Sequence, residues 1–189
     1  MLNIHTQKVN KTVWTFKELL MQNKKNVGNF ARNMSYAVSA GNMYHIRKSL
    51  YSKDKNYNII EMATKIYKPS YISFETVLQN EGVIFQNYNS IKVASYKTLN
   101  IVVDKHKINF RKIKDTTLLN HEGLIKYDGY YVASKERAIL DTLYLNKKYH
   151  FDNFRDIDWD KMQRLVKIYE NKNLEKEVYN LYLKYNSKI

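Results

Sequence analysis

Four side chains between residues 29 and 36 have the types and the spacing to read the edge of a DNA base. Asn29, Arg32, Asn33 and Tyr36 share one face if this stretch is helical, because they repeat with the period of an α-helix. Arginine can bond guanine N7 and O6 together, and asparagine the N6/N7 edge of adenine. His45, Arg47 and Lys48 follow in a segment that reads as extended, where they suit phosphate or minor-groove contact. The competing reading is a solvated polar helix face beside an ordinary β-hairpin.

Charge helps to choose between the two. The 189 residues hold 32 Lys plus Arg against 18 Asp plus Glu, a formal net charge of +14. Composition alone is ambiguous, because Lys, Asn, Tyr and Ile, all with A/T-rich codons, make up 80 of the 189 residues. Position is more telling. Residues 1–54 carry nine basic residues against Glu18 and Asp54, a net +7, and the remaining +7 is spread over residues 55–189. Half the excess therefore sits in the first quarter of the chain, around the candidate face, and this favours DNA.

Catalytic patterns are missing where the sequence would have to show them. Zero cysteines exclude thiolate metal sites, disulfides and cysteine nucleophiles. His5, His45, His106, His121 and His150 are scattered without a two-histidine helical spacing. Five dispersed glycines build no phosphate loop, and no GxSxG elbow occurs. Asp156, Asp158 and Asp160 read as a helix cap and a dipole-favouring cluster, not a calcium loop. The expectation is a protein that is no enzyme and needs neither cofactor nor metal. No apolar run approaches the length of a membrane span, and the amino terminus lacks a leader pattern, so the expected location is the cytoplasm.

The elements that must position the candidate face can be placed from periodicity and caps. A helix is expected over residues 14–22, with Thr15 and Glu18 as a capping box. A second is expected over residues 27–40, turning Phe30, Met34, Ala37 and Val38 inward and stopping at Gly41. Two helices, a polar turn between them and a basic extended segment make a helix-turn-helix with a wing. Residues 52–56 are the best linker. Beyond it come helices over 59–66 and 73–81, then period-two segments at 91–93, 99–103 and 108–110. A type I′ hairpin is expected at Asp128-Gly129, and helices over 134–145, 160–170 and 174–185. Lys65, Lys68, Lys105 and Lys107 read as solvated, and Asp141, alone in an apolar stretch, as a buried polar group with a partner. The expected class is α+β: an N-terminal winged helix-turn-helix over residues 1–54, then over 55–189 a mixed domain with a small antiparallel sheet and flanking helices.

Three blocks in order resemble the AbiEi-type antitoxins. Ile46-Arg47-Lys48-Ser49-Leu50-Tyr51 looks like the end of their wing, Pro69-Ser70-Tyr71-Ile72-Ser73-Phe74-Glu75 like an internal segment, and Ala133-Ser134-Lys135-Glu136-Arg137-Ala138-Ile139-Leu140-Asp141 like a helix start. Ser49 stands where the family usually has glycine, and Lys135 where proline is common. The resemblance implies the antitoxin of a type IV toxin–antitoxin (abortive phage infection) operon. Such a protein represses its own promoter by binding inverted repeats in double-stranded DNA. It also counteracts a nucleotidyltransferase-like toxin without a stable complex. Arg32, Asn33, Tyr36, Arg47 and Lys48 would then be DNA contacts. The alternative is a stand-alone winged-helix regulator whose second domain binds a ligand or dimerises.

Overall fold

The computed structural model describes residues 11–23 and 26–186; whether residues 1–13 complete the first unit, and the polar turn expected between the first two helices, fall largely outside that range. The chain is α+β, with two sheets. Over the described residues the order starts with β1 (Val13–Thr15), α1 (Phe16–Asn23) and α2 (Val27–Ser39), followed by the hairpin β2 (Tyr44–Arg47) and β3 (Leu50–Ser52). The capping box explains why α1 starts later than periodicity suggests. Thr15 Oγ1 accepts from the Glu18 N–H at 3.1 Å and Glu18 Oε2 accepts from the Thr15 N–H at 2.8 Å, so the helix begins after Thr15. Trp14 is left in a strand opposite Tyr51. The three strands are antiparallel in the order β1-β3-β2.

The second sheet corrects the expectation of a small antiparallel one. It has six strands: β4 (Ser70–Ile72), β5 (Ser90–Ser95), β6 (Leu99–Val103), β7 (His106–Lys112), β8 (Leu124–Tyr127) and β9 (Tyr130–Ala133). Their order is β6-β7-β5-β4-β9-β8, and the β5–β7 and β4–β9 pairs are parallel. Beyond residue 55 two elements have no counterpart among the expected ones. These are β4, whose three residues are too few to show alternation, and α5 (Asp115–Leu119), which is barely one helical turn. The other helices are α3 (Ile59–Ile66), α4 (Glu75–Asn80), α6 (Lys135–Leu145), α7 (Trp159–Leu165), running on into a 3₁₀ turn (Val166–Tyr169), and α8 (Lys172–Asn186).

The type I′ turn is also placed differently. At Asp128-Gly129 only the glycine has positive φ, at 91°. Both central residues are positive instead at Asp104 (45°) and Lys105 (70°), which join β6 to β7 between Val103 and His106.

A single hydrophobic core runs from Val13, Ile46 and Leu50 of the first sheet through α3 into the second. At that junction Lys65 is buried, not solvated as its sequence context suggests. Its Nζ lies 2.5 Å from Glu61 Oε1 and donates to the Val13 carbonyl. Glu61 Oε2 accepts from the Thr12 N–H and hydroxyl, both at 2.8 Å. One strand of the small sheet is thus fastened to α3 by hydrogen bonds to a buried ion pair that lies within the helix. Among the described residues no helix is long and apolar enough to cross a membrane.

Candidate nucleic-acid interface

Helix α2 is set up by its ends and by one buried edge. Asn26 caps it, its Oδ1 accepting from the Gly28 N–H at 2.9 Å, and Gly41 (φ 75°) lets the chain leave after Ala40. Phe30 and Met34 are buried, while Ala37 and Val38 are half-buried. The Phe30 ring meets Phe16 edge-on at 5.2 Å, and Phe16 in turn lies 6.5 Å from Tyr51 of β3. The apolar edge thus locks α2 onto α1 and the sheet.

The opposite edge is open. Asn29, Arg32 and Asn33 are exposed, and Tyr36 keeps 75% of its surface in solvent. None of the four side chains has a hydrogen bond or ion pair among the described residues. Ser35 and Ser39, at the margins, are already engaged with the carbonyls of Ala31 (3.1 Å) and Ser35 (3.0 Å). The helix therefore offers two amides, a guanidinium and a phenol, all with their hydrogen-bonding capacity unspent.

The β2–β3 hairpin carries the remaining three candidates, and they are not equivalent. Lys48 is exposed at the turn. His45 is exposed with its ring 5.0 Å from that of Tyr51. Arg47 is only half-exposed, and its Nη1 is buried without a partner among the described residues. Ser49 takes φ of 63°, a left-handed conformation that glycine adopts without steric cost. Lys17, Arg32, Lys48 and Lys53 are exposed cations with no ion pair among the described residues, whereas Lys11 lies 3.3 Å from Glu18. Burial works to raise the Glu18 carboxyl, but the Thr15 N–H, Lys65 and Lys11 outweigh it and hold the group below the usual range.

Asp141 has the partners expected for a buried acid. Its Oδ2 accepts from the Ser73 hydroxyl at 2.6 Å, and its Oδ1 from Tyr169 at 2.6 Å and Tyr71 at 3.2 Å. Arg137 Nε is 3.5 Å away, and both residues are fully buried. Arg137 spends its other nitrogens on the carbonyls of Glu122 (2.8 Å) and Thr117 (2.7 Å) and on the Tyr71 hydroxyl (3.1 Å). Burial pushes the Asp141 carboxyl up, while Arg137 and the three hydroxyls pull it back. With no surface open to solvent, the network ties β4, α6 and the 3₁₀ turn together. Nothing in the sequence marks Arg137, in the first turn of the helix expected over 134–145, as buried.

No family model matches the chain, and no curated protein matches it in sequence.

Proposed function

We propose that the protein is a DNA-binding autorepressor and antitoxin. Its first 54 residues act as a winged helix-turn-helix, and residues 55–189 counteract a nucleotidyltransferase-like toxin of the same operon. The observation that carries the DNA half is the open edge of α2, where Asn29, Arg32, Asn33 and Tyr36 have no other partner among the described residues. The exposed cations of the hairpin beside it supply phosphate contacts. Arg47 is a weaker candidate than Lys48, because it is half-buried and its Nη1 is enclosed. The antitoxin half rests on the resemblance of the three sequence blocks, and it assigns no catalytic step to the chain.

The test is a mobility shift of the protein's own promoter as salt is raised. Affinity should fall steeply, since neutralised phosphates release counterions. Arg32→Ala should cost about 1–3 kcal/mol of binding and relax site preference, while Lys48→Ala should weaken all sequences alike. An Arg32→Ala protein with unchanged affinity and preference would remove α2 as the reading element. Co-expression of the full chain with the product of the neighbouring gene tests the other half. Wild type and Arg32→Ala should both relieve growth arrest, because antitoxicity is assigned to residues 55–189.

A further inference from the structure

A cavity of about 260 Å³ opens between the end of α4, the loop into β5 and the β6–β7 turn, far in sequence from α2. Three kinds of side chain meet there. Lys105 and Lys107 stand on the turn and the start of β7, with no hydrogen bond or ion pair among the described residues. Asn80, Asn87 and Asn89 contribute carboxamides, and Tyr88 an aromatic ring. No acid lines the cavity among the described residues. Asp104, next to Lys105, is engaged elsewhere, accepting from the hydroxyls of Tyr57 at 2.7 Å and Tyr44 at 2.9 Å.

The arrangement is fixed in advance of any ligand. Gln79 Nε2 donates to Asn87 Oδ1 at 2.6 Å, and Gln79 Oε1 accepts from the Tyr88 N–H at 3.3 Å, which holds the loop on α4. The Tyr88 hydroxyl donates to Gln86 Oε1 at 2.7 Å, which sets the ring. Because Asn87 spends its carbonyl oxygen on Gln79, its NH₂ donors stay free. The left-handed turn at Asp104-Lys105 carries the two lysines at its end and just beyond.

We infer that this cavity binds a nucleoside phosphate, free or at the end of an RNA strand. Lysines with no competing carboxylate suit phosphate oxygens. Carboxamides suit the edge of a base, and a fixed tyrosine ring gives a base a face to stack on. At about 260 Å³ the cavity lies just under the range of ligand sites, which start at about 300 Å³, so it can enclose the base or the phosphate end of one nucleotide and not the whole of it. The inference stands apart from the promoter-binding reading, since it uses no residue of α2 or of the β2–β3 hairpin. The failure of one leaves the other intact.

Calorimetric titration of the full chain tests it, using nucleoside triphosphates, the corresponding nucleosides, inorganic triphosphate, and a short RNA with a free 3′ end. A nucleoside triphosphate or the RNA end should bind at least tenfold tighter than inorganic triphosphate or the nucleoside, and whichever of the two binds tighter identifies the source. Lys105→Asn with Lys107→Gln should lower that affinity at least tenfold, with the promoter shift and the urea midpoint unchanged. Asparagine keeps the left-handed turn. Tyr88→Leu should erase the preference over inorganic triphosphate while leaving triphosphate binding itself. Equal affinity for inorganic and nucleoside triphosphate, or undiminished binding by the double variant, would overturn the inference.

Discussion

Helices α2 and α6 both carry an arginine and polar residues among apolar ones, and they use them in opposite ways. On α2, Asn29, Arg32, Asn33 and Tyr36 stand in solvent, and only Phe30 and Met34 are buried. On α6, the eight residues from Glu136 to Leu143 are all buried, charged ones included. Arg137 and Asp141 find their partners inside the fold, with only Arg137 Nε lacking a hydrogen bond, whereas Arg32 has nothing to satisfy it among the described residues. The polar side chains of α6 are therefore committed to the fold. Those of α2 cost the fold nothing to change and are available to a partner.

The largest expected effect tests the α6 side of that contrast. Asp141→Ala would leave Arg137 charged in the interior and take the acceptor from three hydroxyls. Removing one partner of a buried pair costs about 3–5 kcal/mol. Urea unfolding of Asp141→Ala beside Arg32→Ala should show that loss for the first and a change within about 0.5 kcal/mol for the second, as befits an exposed site. Comparable losses in both would erase the distinction between the helices.

The same contrast explains what could be read from the sequence. The two edges of α2 follow from a 3.6-residue period, and Asp141 stood out because it interrupts an apolar run. The sequence blocks at residues 69–75 and 133–141 carry a resemblance separately. In the fold they are one object, because Tyr71 and Ser73 of the first hydrogen-bond Asp141 of the second. Lys65 and Arg137 were not legible, since what makes them buried is a partner or carbonyl supplied by a distant segment, such as Val13 or Thr117. The parallel pairing of β5 with β7 was hidden for a related reason. Alternation identifies a strand but says nothing of the direction of its neighbour.

A smaller effect is expected at the start of α6, where Glu136 joins the interior to the surface. Its Oε2 lies 2.6 Å from Lys161 Nζ and accepts from the Ser134 hydroxyl at 2.9 Å. Burial works to raise this carboxyl, yet Lys161 and the hydrogen bonds prevail and hold it below its usual range. A carboxyl depressed in the folded state stabilises fully above its unfolded value of about 4.3 and loses that contribution as pH falls through the folded value. Glu136→Gln should thus cost about 1.5–3 kcal/mol at pH 7, in keeping with a charge-assisted hydrogen bond. The gap to wild type should close in acid. A gap that stayed constant down to pH 3 would show that packing, not charge, gives Glu136 its role.

The smallest effect lies back at the hairpin, and it asks whether the thinly packed first unit carries strain for a purpose. Ser49 holds a left-handed φ of 63° that costs an L-residue about 1–2 kcal/mol. Glycine would remove that cost but would return about 0.5–1 kcal/mol through its greater freedom when unfolded. Ser49→Gly should therefore raise stability by at most about 1.5 kcal/mol, each 1 kcal/mol being worth about 2–4 °C in Tm for a chain of this size. A drop in Tm would mean that the serine side chain makes a contact worth more than the strain. Promoter affinity separates the remaining cases. If it is unchanged while Tm rises, the left-handed turn is only a shape the hairpin needs and glycine serves it better. If it falls, the serine hydroxyl between Lys48 and Leu50 joins Arg32 and Asn33 among the side chains proposed to contact DNA.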